Sequence, residues 1–162
     1  MDILMIFVTV GTQDKQFERL FYEVNRLIEN GKITDEVIAQ IGHTKFDSDK
    51  MKIKKFFNQT ELKDIINNAN FIITHGGVGT ILESIKLGKK VIAVPRLKKY
   101  KEHVNDHQLQ IIQNFNKNEL IIGIEKVEDL EEAINKINNF KPKQFKSNNN
   151  FFINKLENNI IM

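Results

Sequence analysis

Thr74-His75-Gly76-Gly77-Val78-Gly79-Thr80-Ile81-Leu82-Glu83 decides how this chain folds. The run follows the apolar, strand-like Phe71-Ile72-Ile73 and opens a helix-like stretch that ends near Gly88. A glycine-rich turn from a strand into a helix presents backbone N–H groups and the positive end of the helix dipole, which favours an anion. Charge–dipole attraction there contributes roughly 0.3–1 kcal/mol, and ~2 kcal/mol where it is partly buried. His75 can donate to a phosphate oxygen, and Thr80 offers a hydroxyl in the first turn. Glu83 lies one turn beyond Gly79, at a distance that suits a pair of ribose hydroxyls. The plainer alternative is a turn that needs glycines only for packing, which leaves His75, Thr80 and Glu83 incidental. Two familiar phosphate loops fit poorly. The dinucleotide fingerprint requires G-x-G-x-x-G and an acid about 20 residues on, and the P-loop requires Gly-Lys-Ser/Thr; here the spacing is G-G-x-G and the acid sits on the same helix.

Outward from this turn the chain alternates strands and helices. Ile3–Val10 reads as a buried strand running into Gly11-Thr12-Gln13. Phe17, Leu20, Phe21, Val24, Leu27 and Ile28 recur at helical spacing, and Gly31 ends that helix. Val37–Ile41 and Ile53–Phe57 read as strands, and Thr60 as the cap of a helix through Leu62, Ile65 and Ile66. The strand Phe71–Ile73 comes next, then the helix Gly77–Leu87 and the strand Val91–Val94, which Pro95 stops. Asp106–Phe115 (helix), Leu120–Ile124 (strand) and Val127–Phe140 (helix) complete the pattern. Strands buried on both faces and alternating with helices predict an α/β fold with a doubly wound, mostly parallel, Rossmann-like sheet. Ligands of such sheets gather beyond the carboxyl ends of the strands. Gly11-Thr12, Phe57-Asn58, His75-Gly76 and Pro95-Arg96 all fall there and can line one cleft. Residues 1–140 are expected to form this domain; 141–162 is read as a polar, asparagine-rich linker and a short final helix with Phe152, Ile153, Leu156 and Ile160 on one face.

The 162 residues suffice for one domain with a proper core, and without cysteine there is no disulfide, thiolate nucleophile or cysteine metal site. The opening apolar run is short and follows Asp2, so it reads as a strand rather than a signal peptide or membrane span. A net charge of only +3 implies no general nucleic-acid binding. The positive charge is uneven, however. Lys86, Lys89, Lys90, Arg96, Lys98, Lys99 and Lys101 fall in a stretch without an acid. This is either a solvated face or an attraction for anionic lipid or a lipid-linked phosphate.

A second constellation, Glu102-His103-Val104-Asn105-Asp106-His107-Gln108, starts a helix just past Pro95. A carboxylate and a carboxamide together can bind vicinal sugar hydroxyls, because one accepts and the other both donates and accepts. His103 and His107 are four apart, but no further ligand is spaced to complete a metal site. His43 stands alone in a loop. Asp47-Ser48-Asp49 spells a D-x-D in another polar loop. No metal and no cofactor is expected.

Together these motifs resemble the C-terminal, donor-binding domain of UDP-sugar glycosyltransferases of the GT-B fold, particularly glycosyltransferase family 28. The pattern from IFVTVGTQ through VPR and EHVNDHQ is similar, more narrowly, to the small soluble subunit of two-chain transferases. These include the enzyme that adds the second N-acetylglucosamine to the dolichol-linked oligosaccharide, and bacterial capsule and exopolysaccharide transferases. The resemblance spans roughly residues 3–140. It implies that His75, Gly76, Gly77, Gly79 and Thr80 hold the diphosphate, with Gly11 and Thr12 completing the phosphate side. It places Glu83 on the ribose, Phe57 and Asn58 on uracil through backbone groups, and Asp106 and Gln108 on the donor sugar. It further implies inverting transfer of a hexose (galactosyl, N-acetylglucosaminyl or glucuronosyl) to a lipid-linked saccharide. His75 would stabilise the leaving group, and the catalytic base is left open. An acceptor-binding, membrane-anchored subunit is the implied partner and would hold the chain peripherally on the cytoplasmic side of the membrane. Arg96 is expected at an acceptor phosphate. The alternative from another class is a non-catalytic nucleotide-sugar-binding subunit that stabilises or stimulates a separate transferase.

Overall fold

The computed structural model describes residues 4–145. Six strands, β1 (Met5–Thr9), β2 (Glu36–Gln40), β3 (Lys52–Lys54), β4 (Phe71–Thr74), β5 (Lys90–Ala93) and β6 (Ile122–Gly123), form one sheet in the order β3-β2-β1-β4-β5-β6. Every pairing is parallel, as the apolar runs predict. Among the described residues five α-helices flank the sheet, four between strands and the last after β6: α1 (Glu18–Glu29), α2 (Gln59–Asn68), α3 (Val78–Lys86), α4 (His107–Lys117) and α5 (Leu130–Ile137). The order reverses between β1 and β4, and there the two connecting turns splay apart to leave a crevice.

Alternation along the strands builds two cores. Ile6 and Val8 of β1 join Leu20, Phe21, Val24 and Leu27 of α1 and Leu130, Ala133 and Ile137 of α5 on one face. Met5 and Phe7 join Ile66 of α2, Val78 and Ile81 of α3 and Ile111, Ile112 and Phe115 of α4 on the other. Each fully buried Leu, Ile or Phe stabilises the fold by about 1.5–3 kcal/mol. The helical spacing read for α1 thus marks its buried stripe.

Polar residues end the apolar strands in register. Gln40, Thr9 and Thr74 are aligned across β2, β1 and β4, with Ala93 next on β5. All three polar side chains are buried. Gln40 Nε2 donates to Thr9 Oγ1 at 3.1 Å, and the backbone N–H of Gly11 donates to the same oxygen at 3.3 Å. This row forms the floor from which the loops of the carboxyl edge rise.

Strand ends differ slightly from expectation. β3 stops at Lys54 because Phe57 turns inward against Phe7, with ring centroids 6.2 Å apart. Asn58, rather than Thr60, caps α2: its Oδ1 accepts from Glu61 N at 2.8 Å, and its Nδ2 donates to Glu61 Oε1 at 2.7 Å. Beyond α5, Lys143 N donates to Glu119 O at 2.9 Å, and Phe145 packs against the α2–α4 core. The first residues of the expected linker therefore lie along the domain, and the expected final helix falls outside the described residues.

Candidate functional site

A cleft of about 350 Å³ opens at the carboxyl edge between the β1–α1 turn, α2 and the start of α3. Thr9, Gly11, Thr12 and Gln13 line one wall, Gln40, Gln59, Leu62 and Ile66 one end, and His75, Gly77, Gly79, Thr80 and Glu83 the other wall. The sequence-predicted Gly11, Thr12, His75, Gly77, Gly79, Thr80 and Glu83 thus come together. Thr9, Gln13, Gln40, Gln59, Leu62 and Ile66 were missed. Two carried a readable signal, since Thr9 and Gln40 are polar interruptions at the ends of apolar strands.

No side chain caps the start of α3; Gly77 is its N-cap residue, and the first helical bond is Ile81 N to Gly77 O at 3.2 Å. The first-turn donors therefore have no side-chain acceptor, and they lie on the cleft wall. The motif glycines serve different ends. A Cβ on Gly76 would come 2.6 Å from Gln108 Cβ, and one on Gly77 would come 2.4 Å from the His75 ring. Packing alone accounts for both. A Cβ on Gly79 would meet nothing within 4 Å, so no internal contact demands glycine there. Gly11 has a positive φ of 75°, which favours glycine in its own right.

His75 is 4% exposed. Burial, then the nearby Arg96 charge, push its pKa from 6.5 to about 3, so the ring is neutral at neutral pH. Its Nδ1 lies 3.3 Å from Arg96 Nη1 and 3.3 Å from Gln108 Nε2. Glu83 faces the cleft with no side-chain hydrogen bond or ion pair among the described residues.

Arg96 overturns its sequence assignment. Its side chain is 0% exposed, and the guanidinium donates to the backbone carbonyls of Val10, Lys15 and Gln16 at 3.2, 3.3 and 3.4 Å. It also sits 5.6 Å from the Phe17 ring centroid. A group so enclosed is not available to an acceptor phosphate. Burial lowers its pKa to about 10, with Glu102 pulling the other way, and it remains a cation at neutral pH.

Gln108 also differs from expectation. Its Oε1 accepts from Gly76 N at 3.2 Å and Arg96 N at 3.0 Å, so its carbonyl is committed inside the protein rather than to a sugar. Asp106 is exposed, and its Oδ1 accepts from Lys98 N at 2.8 Å. Neither residue lines the cleft, nor do Phe57 and Asn58. The backbone N–H of Phe57 donates to Gln40 Oε1 at 2.9 Å, and Asn58 serves its helix cap, so these groups are taken up by the fold. Gly76 lies behind the wall.

Hydrogen bonds to Glu102 tie the basic loop between β5 and α4 to α1. Glu102 accepts from Arg19 Nε and Nη2 at 3.0 and 2.9 Å and from Leu97 N at 3.1 Å. Arg19 lies 4.1 Å from the Tyr100 ring centroid. Lys98, Lys99 and Lys101 are exposed, as are Tyr100 (47%) and Val104 (67%). The other motifs lie away from the cleft. His43 rests edge-on against Phe56, and Ser48 N donates to Asp47 Oδ1 at 2.9 Å. Among the described residues no cluster of three or more His, Cys, Asp or Glu is placed to hold a metal ion.

A parallel six-stranded sheet with this crevice and turn defines a Rossmann-like domain of the kind found in GT-B glycosyltransferases. Residues 5–160 match the glycosyltransferase family 28 C-terminal domain, and the chain belongs to that family. It is 29% identical over 109 residues to the UDP-N-acetylglucosamine transferase subunit ALG13 of Candida albicans, covering 67% of this chain and 36% of that protein. Against the subunit of the same name from Homo sapiens it is 29% identical over 121 residues, covering 69% of this chain and 10% of that one. It thus spans about a third or less of these relatives. A solution structure of ALG13 superimposes with a TM-score of 0.59 at 19% identity over 94% of both chains. The glycotransferase of kitacinnamycin gives 0.60 at 16% identity, over 83% of this chain and 34% of that one. These likenesses show the shared fold.

Proposed function

We propose that this chain binds the UDP-sugar donor of a two-chain, inverting glycosyltransferase and supplies the donor half of its active site. The reading is carried by one observation: the uncapped start of α3 opens onto the cleft that His75 and Glu83 share. The first-turn amides and His75 take the diphosphate, Glu83 takes the ribose hydroxyls, and Gly11 and Thr12 border the phosphates. The end lined by Gln40, Gln59, Leu62 and Ile66 suits a flat, partly polar base such as uracil. Asp106, exposed at the start of α4, is the candidate for a sugar hydroxyl.

The acceptor hydroxyl attacks the anomeric carbon on the face opposite UDP. A new carbon–oxygen bond forms as the bond to the diphosphate oxygen breaks, with inversion. The electron pair leaves on UDP, and the acceptor proton passes to a base on the partner chain. The amides of α3 and His75 stabilise the charge that grows on the leaving phosphate. No divalent ion is needed for this reading. The partner is a membrane-anchored, acceptor-binding subunit, and the acceptor is a lipid-linked saccharide of exopolysaccharide, capsule or related glycan synthesis. The likeness to UDP-N-acetylglucosamine transferase subunits favours N-acetylglucosamine over galactose or glucuronic acid as the transferred sugar. Lys98, Lys99 and Lys101 with Tyr100 form the acceptor-facing rim.

Calorimetry in EDTA with UDP and three UDP-sugars (UDP-N-acetylglucosamine, UDP-galactose, UDP-glucuronic acid) tests the reading. Binding without added metal is expected. No heat at millimolar ligand, from a chain shown to be folded, overturns it. Reversing Lys98, Lys99 and Lys101 to Glu is expected to raise the acceptor KM of the assembled enzyme at low salt and to leave donor affinity unchanged.

A further inference from the structure

We infer that Arg96 and Gln108 are positioning residues that lock the His75 ring in its Nε2-protonated tautomer, so that it meets the cleft as a hydrogen-bond donor. The inference rests on the reading of the cleft as a diphosphate site, and it begins with the orientation of one carboxamide. Gly76 N and Arg96 N can only donate, and both address the same end of Gln108, at 3.2 and 3.0 Å. That end is therefore oxygen. The other end is then NH2, and it stands 3.3 Å from His75 Nδ1. Arg96 Nη1, which also can only donate, stands 3.3 Å from the same nitrogen. A ring nitrogen faced by two donors carries no proton of its own. The single proton of the neutral ring is thereby placed on Nε2.

Nε2 faces the cleft side. A Cβ on either Gly11 or Gly77 would come 2.7 Å from it, so the two missing side chains leave this nitrogen its opening. Three backbone carbonyls hold the Arg96 guanidinium in place, and two backbone amides hold the Gln108 carboxamide. Neither can turn away to release Nδ1 without leaving buried donors unpaired. The charged and titratable groups around the ring are Arg96 and, further off, His103, both from the β5–α4 loop. Glu102 acts on Arg96, and Lys15 and His107 act on His103. His75 therefore offers a UDP-sugar one fixed donor and no titrating charge.

Nitrogen-15 NMR of the histidine rings in the ligand-free chain tests the lock, with His75→Gln assigning the signal. The expected pattern is a protonated Nε2 and a bare Nδ1 from about pH 5.5 to 8, across the range where an ordinary histidine titrates. A proton on Nδ1, or a charged ring in that range, overturns the inference. Calorimetry with UDP-N-acetylglucosamine then asks whether Arg96 acts through His75. Arg96→Gln is expected to weaken binding about tenfold in the wild-type background and very little in a His75→Ala background. Uridine, which lacks phosphates, is expected to bind equally in all of them. Equal tenfold losses in both backgrounds overturn the positioning role. If Arg96→Gln does not fold, the wild-type ring pattern still decides the tautomer. A wild-type chain with the expected ring pattern but no affinity for UDP-N-acetylglucosamine supports the lock and overturns the diphosphate reading.

Discussion

Two helices begin at the same edge of the sheet, and they treat their free amides in opposite ways. At the start of α2, Asn58 accepts from Glu61 N and returns a donor to Glu61 Oε1, so the helix end is closed by its own residues. At the start of α3 the N-cap is Gly77, which has no side chain to offer, and the turn faces a cleft beside His75. The first arrangement favours stability. The second leaves donors aimed at a space that an anion fits, and with glycine at the N-cap it forgoes only about a few tenths of a kcal/mol relative to a capping side chain. Position alone does not separate the two helix starts; what the preceding residue does with its side chain separates them.

The largest effect expected from breaking this contrast is at Glu83. Glu83→Ala removes charge-assisted hydrogen bonds worth about 1.5–3 kcal/mol, so UDP affinity is expected to fall by roughly 10–150-fold with thermal stability unchanged. Titration calorimetry and a melting curve on the same sample check it. A variant that binds UDP normally removes Glu83 from the ribose.

Acid tests the His75 side next. The unfolded chain takes up a proton near pH 6.5 that the folded chain refuses until about pH 3. Between these values the unfolded state binds more protons. The His75 contribution to stability therefore rises with pH across the window, is fully present above the unfolded pKa, and is lost on acidification at up to about 1.4 kcal/mol per pH unit. Urea unfolding between about pH 4 and 7 is expected to show a shallower slope for His75→Gln than for wild type. Parallel slopes contradict a buried neutral ring.

Asn58→Ala probes the closed helix. It is expected to cost ~1 kcal/mol of stability and to leave UDP affinity intact. Lost affinity at unchanged stability would return Asn58 to the base site. Gly79→Ala is the finest test, because a helical glycine with open space around it is a position where alanine stabilises by about 0.4–1 kcal/mol. The melting temperature is expected to rise while UDP-sugar affinity falls, since a methyl group then stands on the cleft wall. If affinity holds, the ligand does not approach this turn closely.

Most of the sheet was legible because parallel strands buried on both faces are written as apolar runs, and Phe71–Ile73 and Val91–Val94 reappear as the bodies of β4 and β5. The residues gathered at the cleft were legible where backbone chemistry demands a residue type, as at Gly11 and Gly77. Residues whose side chains serve the fold and residues that serve a ligand use the same functional groups, and there the sequence misled. Asn58 and Gln108 are polar at a helix start in either role, and only their partners, Glu61 N for one and Gly76 N with Arg96 N for the other, show which role they play. Arg96 sits in a run of lysines and reads as one more surface charge. Its one distinguishing mark is that it directly follows the buried Val91–Pro95 segment, so it is still inside the molecule when the chain begins to leave it.

The staple that Arg96 forms also has a meaning in time. It ties itself to carbonyls 80, 81 and 86 residues earlier in the chain. At a synthesis rate of about 5–20 residues per second, roughly 4–16 s separate the emergence of the β1–α1 turn from that of the arginine that braces it. Throughout that interval the wall holding Gly11 and Thr12 has no brace from Arg96, and a nascent fragment ending before Pro95 carries every residue that lines the cleft but not the arginine that ties its first wall in place. The bracing of the cleft is therefore a late product of synthesis, although its lining is an early one.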